Sequence, residues 1–269
     1  MMSVVVSIRS GLAEGLKRES FTVIDEKTLR PIEFFDDADT PVSVGIVIDS
    51  SSSQTAKLKL ISEELSQFFR NSHSDNEYFL MSFSGTRKLL ADWDEGSDIL
   101  ARKFDVEAPK GGTALYDSVF AAIEKLQNRQ RSRRALLLIS DGQDNASRLT
   151  FKELRNALRD ADVTLHVVGM LSDIDVGSSL GVEGKSILDE LSATTGGATF
   201  YPKNRKELKG AFSSIAAELR HQYRLGFRPD KTDAANKWRR IKVGVTPSPT
   251  APTEFKNLSV RTRDGYYTH

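Results

Sequence analysis

Between Val42 and Ile48 the chain is almost continuously apolar and β-branched, the pattern of a strand covered on both faces. Past a run of serines, Leu58, Ile61, Leu65, Phe68 and Phe69 recur at steps of three and four, which predicts a helix with one buried stripe. Tyr78–Phe83 and Lys88–Ala91 read as two strands joined at Ser84-Gly85 in a hairpin. Leu115, Val119, Ala122, Ile123 and Leu126 stripe a second helix, and Ala135–Ile139 is the next buried strand. Thr150 with Glu153 three positions on has the form of a capping box at the start of a third helix. Val163–Val168 is again a strand, and a helix beginning at Ile187 stops at Gly196-Gly197. Ala198–Tyr201 is a last short strand, and Leu208, Phe212, Ile215 and Leu219 mark a final helix. Strands separated by helices imply a doubly wound, mostly parallel α/β sheet with helices on both faces, spanning residues 41–220.

The ends of the chain follow another rhythm. Phe21–Ile24 and Ile32–Phe35 are short strands around a polar turn, and Tyr223–Phe227, Trp238–Val245 and Leu258–Arg263 alternate as strands do. No helical period appears in either tail. Because the ends of a domain often lie close together, residues 1–40 and 221–269 are expected to pair into one small β module. The Pro-rich stretch from Pro247 to Pro252 is read as a loop between two of its strands.

Composition narrows the function classes. The formal net charge of +1 argues against nucleic acid or an anionic membrane as a general partner. Arg129, Arg131, Arg133 and Arg134 form a local basic cluster, which is read as the ordinary cationic close of a helix before a buried strand. With no cysteine, thiolate zinc sites, disulfides and cysteine nucleophiles are excluded. The four histidines stand at 73, 166, 221 and 269, without metal-ligand spacing, and His166 falls in an apolar strand as a structural core residue. No apolar run is long enough to span a bilayer, and Met1–Ser10 has neither the basic region nor the apolar core of a secretion signal.

The candidate chemistry sits at strand ends. Asp49 closes the first buried strand and opens Asp49-Ser50-Ser51-Ser52-Ser53; Asp141 follows another; Thr113 follows Gly111-Gly112 just ahead of a helix. Taken singly, serine-rich turns are often N-caps and Asp-Gly is an ordinary turn pair. Their conjunction is more specific, because an open parallel sheet binds ligands outside the carboxyl ends of its strands. Asp49, Ser51, Ser53, Thr113 and Asp141 would form an all-oxygen metal site suited to Mg²⁺ or Mn²⁺, with Ca²⁺ the third option. Neutral hydroxyls would leave the ion a strong Lewis acid, ready to accept an Asp or Glu carboxylate of a protein partner. Asp117 and Asp144 are candidates to support the ligands from behind.

The pattern Asp49-x-Ser51-x-Ser53, then Thr113, then Asp141 resembles the metal-ion-dependent adhesion site of von Willebrand factor type A domains. That resemblance implies a Rossmann-like fold that binds protein ligands through a divalent cation. Phe21-Thr-Val-Ile-Asp-Glu26, Pro41 to Asp49, Gly112-Thr-Ala-Leu-Tyr-Asp117, Gln222-Tyr-Arg-Leu-Gly-Phe227 and Arg263-Asp-Gly-Tyr-Tyr267 are similar to the bacterial, acidobacterial subfamily of these proteins. In that subfamily similar β segments flank the A domain, and members are often exported to the periplasm or beyond. Two positions depart from the family pattern: Ser52 stands where Gly is usual, and Gln54 where Met is frequent. Neither removes a ligand.

Ser179-Leu-Gly-Val-Glu-Gly-Lys-Ser186 approaches a phosphate-binding loop but begins with Ser and stands well past the preceding strand. Asp173, Asp175 and Gly177 evoke a calcium loop that lacks its other ligands, and read as a solvated acidic turn. The resulting expectation is a non-enzymatic, metal-dependent protein-binding module. Its rivals are a metal-dependent hydrolase using Asp117 or Asp144 as base, and a scaffold whose metal site is vestigial. No histidine base or Gly-x-Ser-x-Gly elbow accompanies the ligands.

Overall fold

The computed structural model describes residues 1–8, 11–51, 54–93, 103, 111–171, 177–229, 237–248 and 252–268, with backbone alone at 55, 56, 254 and 256. Strands β1 (Met2–Ile8), β2 (Gly11–Leu12), β3 (Phe21–Asp25), β4 (Thr28–Arg30) and β5 (Phe34–Asp36) come first. The central block follows as β6 (Ser43–Asp49), α1 (Thr55–Asn71), β7 (Glu77–Phe83), β8 (Arg87–Ala91), α2 (Leu115–Gln127), β9 (Arg134–Ser140), α3 (Phe151–Asp160) and β10 (Thr164–Gly169). It ends with α4 (Ser179–Thr195), β11 (Thr199–Phe200) and α5 (Arg205–Arg220). The chain closes with β12 (Tyr223–Gly226), β13 (Trp238–Val245), β14 (Ser259–Thr262) and β15 (Gly265–Tyr267).

The central sheet has the order β11-β10-β9-β6-β7-β8, parallel throughout except for the β7–β8 hairpin. Every residue of β6 is buried, which explains its unbroken apolar run. Val44, Ile46, Ile48, Leu137 and Ile139 point to one face and pack on Leu58, Ile61, Leu65 and Phe68 of α1 and on Phe212, Ile215 and Leu219 of α5. Val47, Phe79, Leu136 and Leu138 point to the other face and meet α2, α3 and α4. Gly45 lacks a side chain because the Phe79 ring occupies the space a Cβ would take.

The two ends of the chain interleave. β1 lies between β12 and β14 in a sheet ordered β14-β1-β12-β5, with β2 also on β1. A second sheet, β15-β13-β3-β4, packs its Phe21, Val23 and Val243 against Met2, Val4, Val6, Tyr223 and Leu225 of the first. β1 is a strand that the local sequence pattern does not announce. Its short valine run carries no clear alternation, and both its main partners come from the opposite end of the chain.

One helix boundary is corrected. α4 begins at Ser179 rather than Ile187, with Ser178 Oγ accepting from Gly181 N at 3.0 Å. The Ser179–Ser186 run is therefore the first two turns of a helix, and its glycines made those turns look like a loop. The Thr150–Glu153 capping box is present, with reciprocal side-chain and backbone bonds.

The arginine cluster is consumed locally. Arg129 and Arg131 pair with Glu77, and Arg134 bonds to Arg129 O. Arg133 is buried and donates to Thr40 O at 2.8 Å and to Leu219 O, joining the segment before β6 to the end of α5. His166 is 1% exposed, and its Nδ1 accepts from Ala198 N at 3.4 Å. Burial, with Arg261 nearby, pushes its pKa down to about 3, so the ring is neutral and its 3.6 Å approach to Glu218 is not an ion pair. No helix among the described residues is long and apolar enough to cross a membrane.

Candidate metal centre

β6 and β9 are neighbours, and the chain leaves β6 towards β7 on one side and continues from β9 to β10 on the other. That reversal is the switch point at which open α/β sheets bind ligands. Asp49 is the last residue of β6, and Asp141 follows the last residue of β9, so both carboxylates stand at the switch point, 1% and 4% exposed. Each is held by neutral donors. Asp49 Oδ1 accepts from Ser51 N at 2.9 Å and Oδ2 from Ser140 Oγ at 3.0 Å. Asp141 Oδ1 accepts from Gln143 N at 3.1 Å and Oδ2 from Gln54 Nε2 at 2.7 Å.

Ser51 is buried on the loop after β6, and Thr113 is buried just ahead of α2. Thr113 N donates to Asn145 Oδ1 at 2.7 Å, while Thr113 O accepts from Asn145 N and Ala146 N. The loop that carries Asp141 thus clamps the backbone of Thr113. Ala114 N and Ser50 N bond in turn to Ser84 O and Phe83 O, which fastens both segments to the end of β7. Four of the five residues expected as ligands, Asp49, Ser51, Thr113 and Asp141, therefore stand on a strand end and on loops tied to one another at one end of the sheet. Ser53 lies outside the described residues, as do Asp173 and Asp175.

Burial raises the pKa of Asp49 to about 6; the negative charge of Asp141 adds to the rise, and hydrogen bonds from Ser51 and Ser140 oppose it. Two buried carboxylates that each accept from neutral donors fit a dication, whose charge would offset both their desolvation and their repulsion. Among the described residues no three His, Cys, Asp or Glu side chains converge. The candidate centre relies on two carboxylates completed by hydroxyls, the set expected for a hard cation.

Asp117 and Asp144 accept hydrogen bonds beside the ligand-bearing loops. Asp144 Oδ1 accepts from Tyr116 N at 3.2 Å and from Ser147 Oγ at 2.5 Å, serving the start of α2. Asp117 Oδ1 accepts from Arg148 N and Leu149 N at 3.1 and 3.0 Å. Both carboxylates staple the start of α2 to the loop after β9, and so act on the placement of Thr113 relative to Asp141.

Two contributions to the site have no local ligand signature in the sequence. Gln54 crosses from the start of α1 to Asp141, and no spacing rule connects positions so far apart in the chain. Gly184, in the second turn of α4, lies directly against Asp141: a Cβ there would overlap Asp141 O. Gly142, at φ +84°, would likewise run a Cβ into the backbone of Gly184. The helix thus abuts the Asp141 loop backbone to backbone, and the available signal was the pair of glycines inside an otherwise helical stretch. Gly184→Ala should cost about 1–3 kcal/mol through overpacking and weaken divalent-ion binding together. Urea melts and ion titration of that variant check both, and an unchanged ion affinity would separate the helix contact from the site.

A profile of the von Willebrand factor type A domain matches residues 44–143, a span that begins in β6 and ends just past Asp141. Residues 44–143 are similar to a von Willebrand factor type A domain, and the α/β fold around them is the fold of such domains. Solved structures agree with that fold. A von Willebrand factor type A protein from Catenulispora acidiphila is 12% identical with a TM-score of 0.51, over 98% of this chain and 73% of that one. Proximal thread matrix protein 1 of the mussel byssus, with a zinc-occupied MIDAS motif, is 15% identical with a TM-score of 0.55, over 73% of this chain and 50% of its own. A mutant of the PilB minor pilin from Streptococcus sanguinis is 12% identical with a TM-score of 0.53, over 71% of this chain and 63% of the pilin. The chain thus spans less than two thirds of the pilin and half of the thread protein, and at such identities the likeness shows the fold alone. No curated protein sequence matches the chain.

Proposed function

We propose that this A domain is a non-enzymatic, metal-ion-dependent protein-binding module that holds a carboxylate of its partner. The observation that carries the reading is the pair of buried carboxylates, Asp49 and Asp141, on adjoining strand ends, each accepting hydrogen bonds from neutral donors. Ser51, Ser53 and Thr113 would complete the coordination of Mg²⁺ or Mn²⁺, with Ca²⁺ as the alternative ion. A hydroxyl-rich set leaves positive charge uncompensated towards an open position, where an Asp or Glu of another protein can bind. Asp117 and Asp144, the acids a hydrolase would need as bases, already accept backbone N–H groups and favour binding over hydrolysis. A minor pilin and a byssus protein share the fold; a protein partner and a place of action outside the cytoplasm are part of this proposal.

Mg²⁺ or Mn²⁺ at a hundredfold excess over its dissociation constant should stabilise the fold by about 2.7 kcal/mol. For a domain of this size the melting temperature should rise by roughly 5–10 °C, and a chelator should reverse the gain. Calorimetric titration and thermal melts measure both. A chain indifferent to all three cations would leave the proposal without support.

A further inference from the structure

We propose that Gln54 is a positioning residue that holds Asp141 for the metal ion by a neutral hydrogen bond from the opposite half of the site. This rests on the metal-dependent reading above. Gln54 is 2% exposed and caps the start of α1, with its N bonded to Ser51 O at 2.9 Å and its O accepting from Lys57 N at 2.8 Å. With its backbone held at both ends, the side chain spans from the β6 half of the site to Asp141 Oδ2, 2.7 Å away, on the β9 half.

Burying an amide is costly unless a strong acceptor receives it, and a buried carboxylate is such an acceptor. A lysine or arginine at position 54 would hold Asp141 more tightly, but would cancel its charge and repel a dication. An apolar side chain would leave one oxygen of Asp141 without this donor and the two loops without their bridge. The amide fixes the carboxylate while leaving its charge for the ion. The site is thereby set before the ion arrives, and ion binding does not bear the cost of ordering the Asp141 loop.

The test is Mn²⁺ titration of the whole chain by calorimetry, with thermal melts in chelator and in saturating Mn²⁺. Gln54→Met keeps the volume and removes the donor; its dissociation constant for Mn²⁺ should rise 10–100-fold, in the range typical of residues that orient metal ligands. A merely structural role would lower the metal-free melting temperature and leave that constant unchanged, which would overturn the inference. Gln54→Glu places a third carboxylate against Asp141, so its metal-free form should melt below the wild type and gain more than the wild type from Mn²⁺. An equal gain would also overturn the inference, and this variant decides the matter if Gln54→Met does not fold. Absence of Mn²⁺ binding by the wild type would instead sink the metal-dependent reading, and this inference with it.

Discussion

Without metal at pH 7, Asp49→Asn should melt several degrees above the wild type, and the gain that Mn²⁺ confers on the wild type should disappear. The two effects share one cause. Burial and the charge of Asp141 raise the Asp49 pKa from 3.8 to about 6, so the folded chain holds that proton more tightly than the unfolded chain does. Stability of the metal-free fold therefore falls as pH rises from about 4 to 6, and above 6 the full cost of the ionised carboxylate is present. A displacement of that size corresponds to about 3 kcal/mol. Asparagine removes the charge, keeps an oxygen for Ser51 N and turns an amide towards Ser140 Oγ. The same proton competes with the ion, so divalent affinity in the wild type should weaken below pH 6. Melts from pH 4 to 8, in chelator and in Mn²⁺, test each statement; a variant that keeps the wild-type cation response would remove Asp49 from the site.

Phe68→Ala should be the most damaging single truncation of the core outside the site. Phe68 is fully buried, with ring centroids 6.3 Å from both Tyr78 and Phe212, and so joins α1, β7 and α5 on one face of the sheet. Truncating such a ring costs about 3–5 kcal/mol in lost transfer energy and residual cavity. The melting temperature should fall by on the order of 10 °C. Phe68 lies near the end of α1 remote from Gln54, so the Mn²⁺ dissociation constant of the folded variant should stay within about threefold of the wild type. A large loss of affinity would mean that α1 transmits strain along its length to the Asp141 loop.

Much of the α/β block was legible because its signals are local. A strand buried on both faces must be apolar throughout, as β6 is, and a helix with one buried stripe must repeat at three and four, as α1, α2 and α5 do. The placement of Asp49 and Asp141 followed from those strand ends. The β7–β8 hairpin was legible for the same reason, since its turn lies between its own two strands.

What the sequence by itself determined, then, is the order of strands and helices in the central block and the oxygen-donor residues at their ends. Only the tertiary structure decided that β1 lies between β12 and β14, that α4 begins two turns early so that Gly184 can rest on Asp141, and that Asp117 and Asp144 staple loops. It alone showed that Gln54, a departure within the loop, reaches Asp141. The physical reason is range. Periodicity and caps record interactions within a few residues of chain, whereas strand insertion, backbone-to-backbone contact and a buried amide reaching a distant carboxylate exist only once the chain has brought those groups together.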